Sequence, residues 1–289
     1  MNKLVLKRIF KKDILHRIFL ERLSEPLHLN VIAAFVAIFG STRSKIAFDL
    51  IVRQQHAFCL LNAADRALLE GSRRVTVIEF GVANGAGLLD ICRIAKMVTR
   101  ATGIEFDIYG FDSGQGMPPP KDFRDHPEHY FVGDFPMNDT EGLRRRLPPN
   151  ARLILGPVEQ TVPQFVGTVT PESPIGFVSV DVDYYHSTVE CLKVFDIAPD
   201  RLQSCVSIYL DDISFESHNS WSGELGAVRE FNEAHQLRKI EPYNFLRTKR
   251  IFKNPKWLDH IFTLHTLDHP FRQPENKAPT KRVLDNPYL

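Results

Sequence analysis

The sequence predicts an α/β domain built on a doubly wound, mostly parallel sheet, and three observations predict it. From residue 75 onward, short β-branched and aromatic runs alternate with helix-like stretches. The runs are apolar throughout rather than alternating, as strands covered on both faces are. Glycines and carboxylates gather just after these runs, and in such sheets ligands sit outside the carboxyl ends of the strands. The strand candidates are VTVIEF (75–80), FDIYGF (106–111), ARLIL (151–155), IGFVSV (175–180) and CVSIYL (205–210). Helical spacing follows the first at 88–98, the fourth from about 187 to 195, and the fifth at 224–236.

Composition narrows the function classes. A chain of 289 residues with 43% hydrophobic and 25% charged residues fits one large α/β domain with extensions, or two small domains. A formal net charge of +1 argues against phosphate neutralisation on the scale that nucleic-acid binding needs. Cys59, Cys92, Cys191 and Cys205 form neither a CxxC pair nor a zinc-type cluster and read as reduced thiols, which points to the cytoplasm. Residues 1–70 read as an N-terminal helical extension, 71–271 as the catalytic domain and 272–289 as an extended polar tail. Within the extension, residues 1–23 mix Lys and Arg with Leu, Ile and Phe, and the apolar run 31–40 is too short to span a bilayer. Two readings stand: a lid or homo-oligomer element packed on the domain, or a basic amphipathic segment peripheral to the inner face of a membrane.

The first strand runs into Glu79-Phe-Gly81-Val-Ala-Asn-Gly85-Ala-Gly87. Glycines let a backbone turn sharply and approach a bulky ligand, although a plain strand-to-helix turn uses them too. A dinucleotide fingerprint would need G-x-G-x-x-G and an acid about 20 residues further on. The spacing here differs, and the next acid closing a strand is the more distant Asp112. Glu79 has its own use, since a carboxylate there can hold the ammonium of an amino-acid-bearing cofactor.

Strand four ends in Asp181-Val-Asp183-Tyr-Tyr-His186, and strand five in Asp211-Asp212. Carboxylates meeting at one sheet end repel one another unless protonated or bound to a cation. Oxygen ligands suit a hard divalent ion, Mg²⁺ above Ca²⁺ or Mn²⁺. The plainer alternative is that one Asp caps a helix and the others are solvated. Asp183 and His186 are the candidate bases, with His218 a weaker one, and Phe215 and Trp221 are candidates for stacking on an acceptor ring. Asp181-Val-Asp183 is also the DxD metal motif of nucleotide-sugar glycosyltransferases, a rival reading that leaves the Glu79 loop and Asp112 unexplained. A non-catalytic cofactor-binding protein is the third reading.

Glu79, Gly81, Gly85 and Gly87, with Asp112 and Ser113 in GFDSGQGMP, resemble the two cofactor motifs of class I S-adenosylmethionine (SAM)-dependent methyltransferases. With GPVEQTVPQF, DVDYYHST and the Asp pair added, residues 75–235 are similar to the macrocin O-methyltransferase family of metal-dependent sugar methyltransferases. The resemblance implies a seven-stranded Rossmann-like methyltransferase fold, with the methionine part of SAM on the Gly loop and the ribose on Asp112. It implies a divalent metal, Mg²⁺, on Asp181, Asp211 and Asp212. The expected partner is a small-molecule or glycan acceptor bearing a hydroxyl. Residues 113–116 read Ser-Gly-Gln-Gly where the sugar enzymes carry Phe-Glu-Gly, so the acceptor itself is not implied.

Overall fold

Two of the most continuously apolar runs become adjacent central strands, β1 (Arg74–Phe80) and β4 (Ile175–Val180). Every residue of β4 is buried, which is the condition that selects an unbroken apolar run over an alternating one. The computed structural model describes residues 21–214 and 219–274. On one side of β1 lie β2 (Glu105–Asp112) and then β3 (Ala151–Leu155). On the other side of β4 come β5 (Leu202–Leu210), β7 (Ile261–Thr266) and β6 (Arg238–Pro242), giving the order β3-β2-β1-β4-β5-β7-β6. The pairs from β3 to β5 are parallel, and β7 runs antiparallel to both its neighbours. The doubly wound, mostly parallel seven-stranded sheet expected from the sequence is therefore present.

Side chains alternate between two apolar layers. Val75 and Val77 face the layer formed with α3 (Gln54–Glu70) and α4 (Ala86–Thr102), whereas Ile78 and Phe80 face the other. That second layer is closed by α6 (Val158–Val166), α7 (Tyr185–Leu192) and α8 (Gly223–Ala234). The helices expected at 88–98 and 224–236 are α4 and α8. The one expected over 187–195 is α7, whose last part tightens into a 3-10 turn at Lys193–Phe195.

The sheet's cover begins before residue 71, the boundary expected from sequence. α3 buries Ala57, Cys59, Leu60, Ala63, Ala64 and Ala67, small residues that let the helix lie close on β4 and β5. Ahead of it, α1 (Leu27–Phe39) and α2 (Thr42–Ala47) are tied to the far end of the chain. Glu25 accepts hydrogen bonds from the backbone of Lys253 and Asn254, and Arg250 pairs with the buried Asp49. α1 itself leaves Leu27, Val31, Ile32, Phe35, Ile38 and Phe39 exposed. Among the described residues no helix is long and apolar enough to cross a membrane. Most of the basic segment 1–23, the loop residues Phe215 and His218, and most of the tail 272–289 lie outside the described residues.

Candidate active site

The strand order reverses direction between β1 and β4, which creates a crevice at their carboxyl ends. The two chains leave that point almost touching. A Cβ on Gly81 would sit 1.6 Å from the Asp181 carbonyl oxygen, and Gly81 has φ +82°, so glycine is required twice over. The loop from Gly81 turns over at Gly85 (φ +81°), the left-handed N-cap of α4.

Asp112, at the end of β2, is fastened to this loop. Its Oδ2 accepts from the backbone N–H groups of Val82 and Ala83 at 2.9 and 2.7 Å, and its Oδ1 from Gly114 at 2.6 Å. A carboxylate offers about four acceptor positions, so this one both shapes the loop and keeps capacity for a ligand hydroxyl. Ser113 organises the turn that follows. Its Oγ donates to the Gly116 carbonyl at 3.0 Å and accepts from the Gln115 N–H at 3.1 Å.

Glu79 and Gly87 form one device. A Cβ on Gly87 would lie 2.0 Å from Glu79 Oε1, so the absent side chain is what admits the carboxylate beside the first turn of α4. Glu79 is buried, and its Oε2 has no hydrogen-bond partner. Burial, then the charge of Asp181, pushes its carboxyl well above the usual range. An orphaned, buried carboxylate oxygen beside a glycine cradle is suited to a cationic group, and the ammonium of SAM fits that chemistry.

Across the crevice, Asp181, Asp211 and Asp212 each offer one carboxylate oxygen within 4.8 Å of the others. The ladders deliver them: the Asp181 N–H donates to Phe80 and the Asp211 N–H to Val180, each one residue beyond its strand. Burial, followed by the charges of Asp211 and Asp183, raises Asp181 to about 8. Burial, followed by Asp183, Asp181 and Asp211, raises Asp212 to about 9. Asp183 takes a left-handed backbone (φ 60°) and hydrogen-bonds with Asp212 and Tyr130.

Sequence reasoning missed Glu224. It is fully buried on the first turn of α8, its Oε2 accepts the Asp212 N–H at 3.1 Å, and its Oε1 has no partner. Asp212 Oδ2 is likewise unpartnered. The oxygen-only donor set with unpartnered oxygens beside it fits a hard divalent cation held by Asp181, Asp211 and Asp212. Arg53, the N-cap of α3, was missed as well. It lies 3.6 Å from Asp90, and its charge opposes the upward shifts of both Glu79 and Asp181.

His186 has a partner of its own. Its Nδ1 is 2.9 Å from Asp125 Oδ2, its backbone N–H donates to Asp125 Oδ1, and its Nε2 faces Asp122 and Arg124. The fully buried Asp125, on a 3-10 turn, captures the ring and holds it out of the Asp181–Asp211–Asp212 set. The structure thus gathers Asp183 with the acidic cluster and leaves His186 outside it. Trp221 is exposed.

No family model matches the chain, and no curated protein matches it. The chain is similar in structure to a calicheamicin methyltransferase, at 19% identity and TM-score 0.45 over 71% of this chain and 83% of that one. It is similar to an O-methyltransferase from Bacillus cereus in complex with SAH (11%, TM-score 0.41, 81% and 96% covered). It is also similar to an O-methyltransferase from Streptomyces achromogenes involved in tomaymycin synthesis, in complex with SAM (15%, TM-score 0.39, 81% and 94%). The fold rests on the strand order given above, and the functional reading on the residues of the site.

The acids generate a pH signature. An unfolded Asp titrates near about 4, whereas Asp181 and Asp212 titrate at about 8 and about 9 when folded. Between those values the folded chain binds more protons than the unfolded one, so its stability falls as pH rises. In chelator, urea midpoints should drop between about pH 6 and about pH 8.5, and Asp212→Asn should flatten that slope. An unchanged slope in the variant would mean that Asp212 is already ionised in the folded protein.

Proposed function

We propose that the protein is a SAM-dependent O-methyltransferase acting on a hydroxyl of a sugar or another small polyol or phenol, with a divalent metal, Mg²⁺ by donor type, at the acceptor side. The observation that carries this reading is the pairing of two unlike acidic sites across one crevice. Glu79 with Gly81–Gly87 and Asp112 suits an amino-acid-bearing nucleoside, and Asp181, Asp211 and Asp212 suit a hard cation. SAM supplies an electrophilic methyl group on a sulfonium. A divalent cation lowers the pKa of a hydroxyl and orients it. The protein's own work is alignment, with Glu79 holding the ammonium and Asp112 the ribose hydroxyls. Held there, SAM would supply its methyl group to the acceptor oxygen and leave as the thioether, and the hydroxyl proton would pass to a carboxylate of the chain. Asp183 suits that last role, because burial and its contacts with Asp212 and Tyr130 place it beside the cation ligands. His186, through Asp125, is a positioning group. The convergence of Asp181 with Asp211 and Asp212, rather than with Asp183 alone, favours this reading over a DxD glycosyltransferase.

SAH should bind the protein, and Asp112→Ala should weaken it by at least about 1.5–3 kcal/mol, the worth of a hydrogen bond to a charged group, since the loop amides lose their anchor too. Calorimetry giving equal affinities would remove Asp112 from the cofactor site, and binding of NAD without SAH would overturn the reading. Chelation, or Asp211→Asn, should abolish methyl transfer to vicinal diols while leaving SAH affinity largely intact. Full turnover in EDTA, or a product methylated on nitrogen or carbon, would separate the acids from the chemistry.

The reading extends to the N-terminus. We propose that the exposed apolar residues of α1, next in sequence to the basic segment 1–20, rest on an anionic membrane surface. Co-sedimentation with anionic liposomes should occur at low salt and weaken at high salt, and Phe35→Glu should reduce it. Absence of salt-sensitive binding leaves the lid or homo-oligomer reading.

A further inference from the structure

The turn His126-Pro127-Glu128-His129 gathers three metal-ligating side chains away from the acidic cluster. The His129 N–H donates to the His126 carbonyl at 2.9 Å, which closes a four-residue turn with proline at its second position, the place its fixed φ favours. His126 Nδ1 lies 3.2 Å from Glu128 Oε1, and His129 Nε2 lies 3.9 Å from the same oxygen. One ligand atom from each residue falls within 4.8 Å of the other two.

Two features hold this arrangement in place. His126 is buried with a left-handed backbone (φ 51°), and its ring packs on Gly223 (φ +55°), where a Cβ would meet Nε2 at 3.3 Å. Its ring therefore cannot swing past the start of α8. The residues on either side are anchored as well: Asp125 is fully buried and accepts the Lys121 N–H, and Tyr130 is buried and donates to Asp212. A plain histidine–carboxylate hydrogen bond would explain His126 with Glu128. Glu128 is in fact shared between two imidazoles, one at hydrogen-bond distance and the other at ion-pair distance.

We propose that His126, Glu128 and His129 form a second metal site, of the imidazole–carboxylate type, that takes Zn²⁺ and fastens the turn to the start of α8. Imidazole donors suit Zn²⁺, whereas the oxygen-only Asp181–Asp211–Asp212 set suits Mg²⁺, so the two sites sort ions by hardness. With three protein ligands, the tetrahedral fourth position is left to water. Nδ1 of His126 faces the ion, which puts its ring proton on Nε2, beside Gly223. Because Tyr130 follows directly and bonds to Asp212, an ion here would stiffen the segment that reaches the acidic cluster. The proposal does not depend on methyl transfer.

The test uses the full chain stripped of metal and held in excess Mg²⁺, so that the acidic cluster is occupied. Zn²⁺ is then titrated against a chromophoric chelator. One equivalent should bind. Loss of an outer-shell partner alone typically costs about 10–100-fold in metal affinity, so loss of a ligand in His129→Ala or Glu128→Ala should cost at least that much. Both side chains are exposed, so these variants should keep the fold. His129→Cys, which retains a zinc ligand, should recover the binding, and Co²⁺ should give tetrahedral visible bands in the wild type but not in His129→Ala. Equal Zn²⁺ affinity in wild type and His129→Ala, or no stoichiometric binding in Mg²⁺, would overturn the proposal.

Discussion

Residue 81 and the carbonyl of Asp181 come so close that no side chain can stand between the ends of β1 and β4. That contact is the hinge of the molecule. From it one chain departs over α4 as the glycine loop and the other as the Asp181–Asp183 turn, so the Glu79–Gly87 loop and the acidic cluster open from opposite sides of one point. The separation is built into the sheet, because the strand order reverses there and neighbouring loops must part. A side chain at residue 81 would push β4 away from β1 and move Asp181 relative to Asp211 and Asp212. The glycine loop and the acidic cluster are therefore not placed independently in this fold.

The same closeness sets the electrostatics. Glu79 and Asp181 sit at adjacent strand ends, and burial together with neighbouring acids disfavours the ionised form of both. Glu224 adds another carboxyl behind Asp212. Arg53 is the cation that opposes both Glu79 and Asp181, but it is shared with Asp90. Without ligands, several of these acids are held protonated. A bound cation on either side makes the ionised form favourable, and every carboxylate it stabilises is one whose burial then costs less.

The sheet was legible because its strands obey a local rule. A run such as IGFVSV admits few structures other than a strand covered on both faces, and the structure buries it completely. The residues just past those strands were legible for the same reason, since their place follows from the strand's end. Gly81, Asp181, Asp211 and Asp212 are of this kind, and Glu79 and Asp112 lie at the ends of β1 and β2 themselves. What escaped depends on long-range packing. Glu224 opens an amphipathic helix, where an acid in the first turn is ordinary, and its importance arises only when β5 delivers Asp212 to it. Arg53 stands in a segment read as an extension, and its role appears only once α3 lies on β4 and β5. The partner of His186 escaped for a similar reason. The histidine's position after β4 is right, but the distant Asp125 takes its ring.

Asp125 belongs to the stretch between β2 and α5 (Thr140–Arg146), which has no hydrophobic period and so could not be placed from sequence. It nevertheless touches every part of the site. Near its start, Met117 donates its N–H to Asp134 and accepts from Gly133, and a Cβ on Gly116 would lie 2.4 Å from the Asp134 carbonyl. Asp125 then grips His186 behind β4, Tyr130 reaches Asp212 beyond β5, and Asn138 meets Asn84 in the glycine loop. Met117, Tyr130 and Tyr184 pack together beneath it. A segment fixed at these points cannot shift at one without straining the others. Phe131, Val132 and Phe135, the apolar residues that follow Tyr130, stay exposed on it. Such a strap makes the shape of the crevice a joint property of the glycine loop, the acidic cluster and the turn at His126–His129.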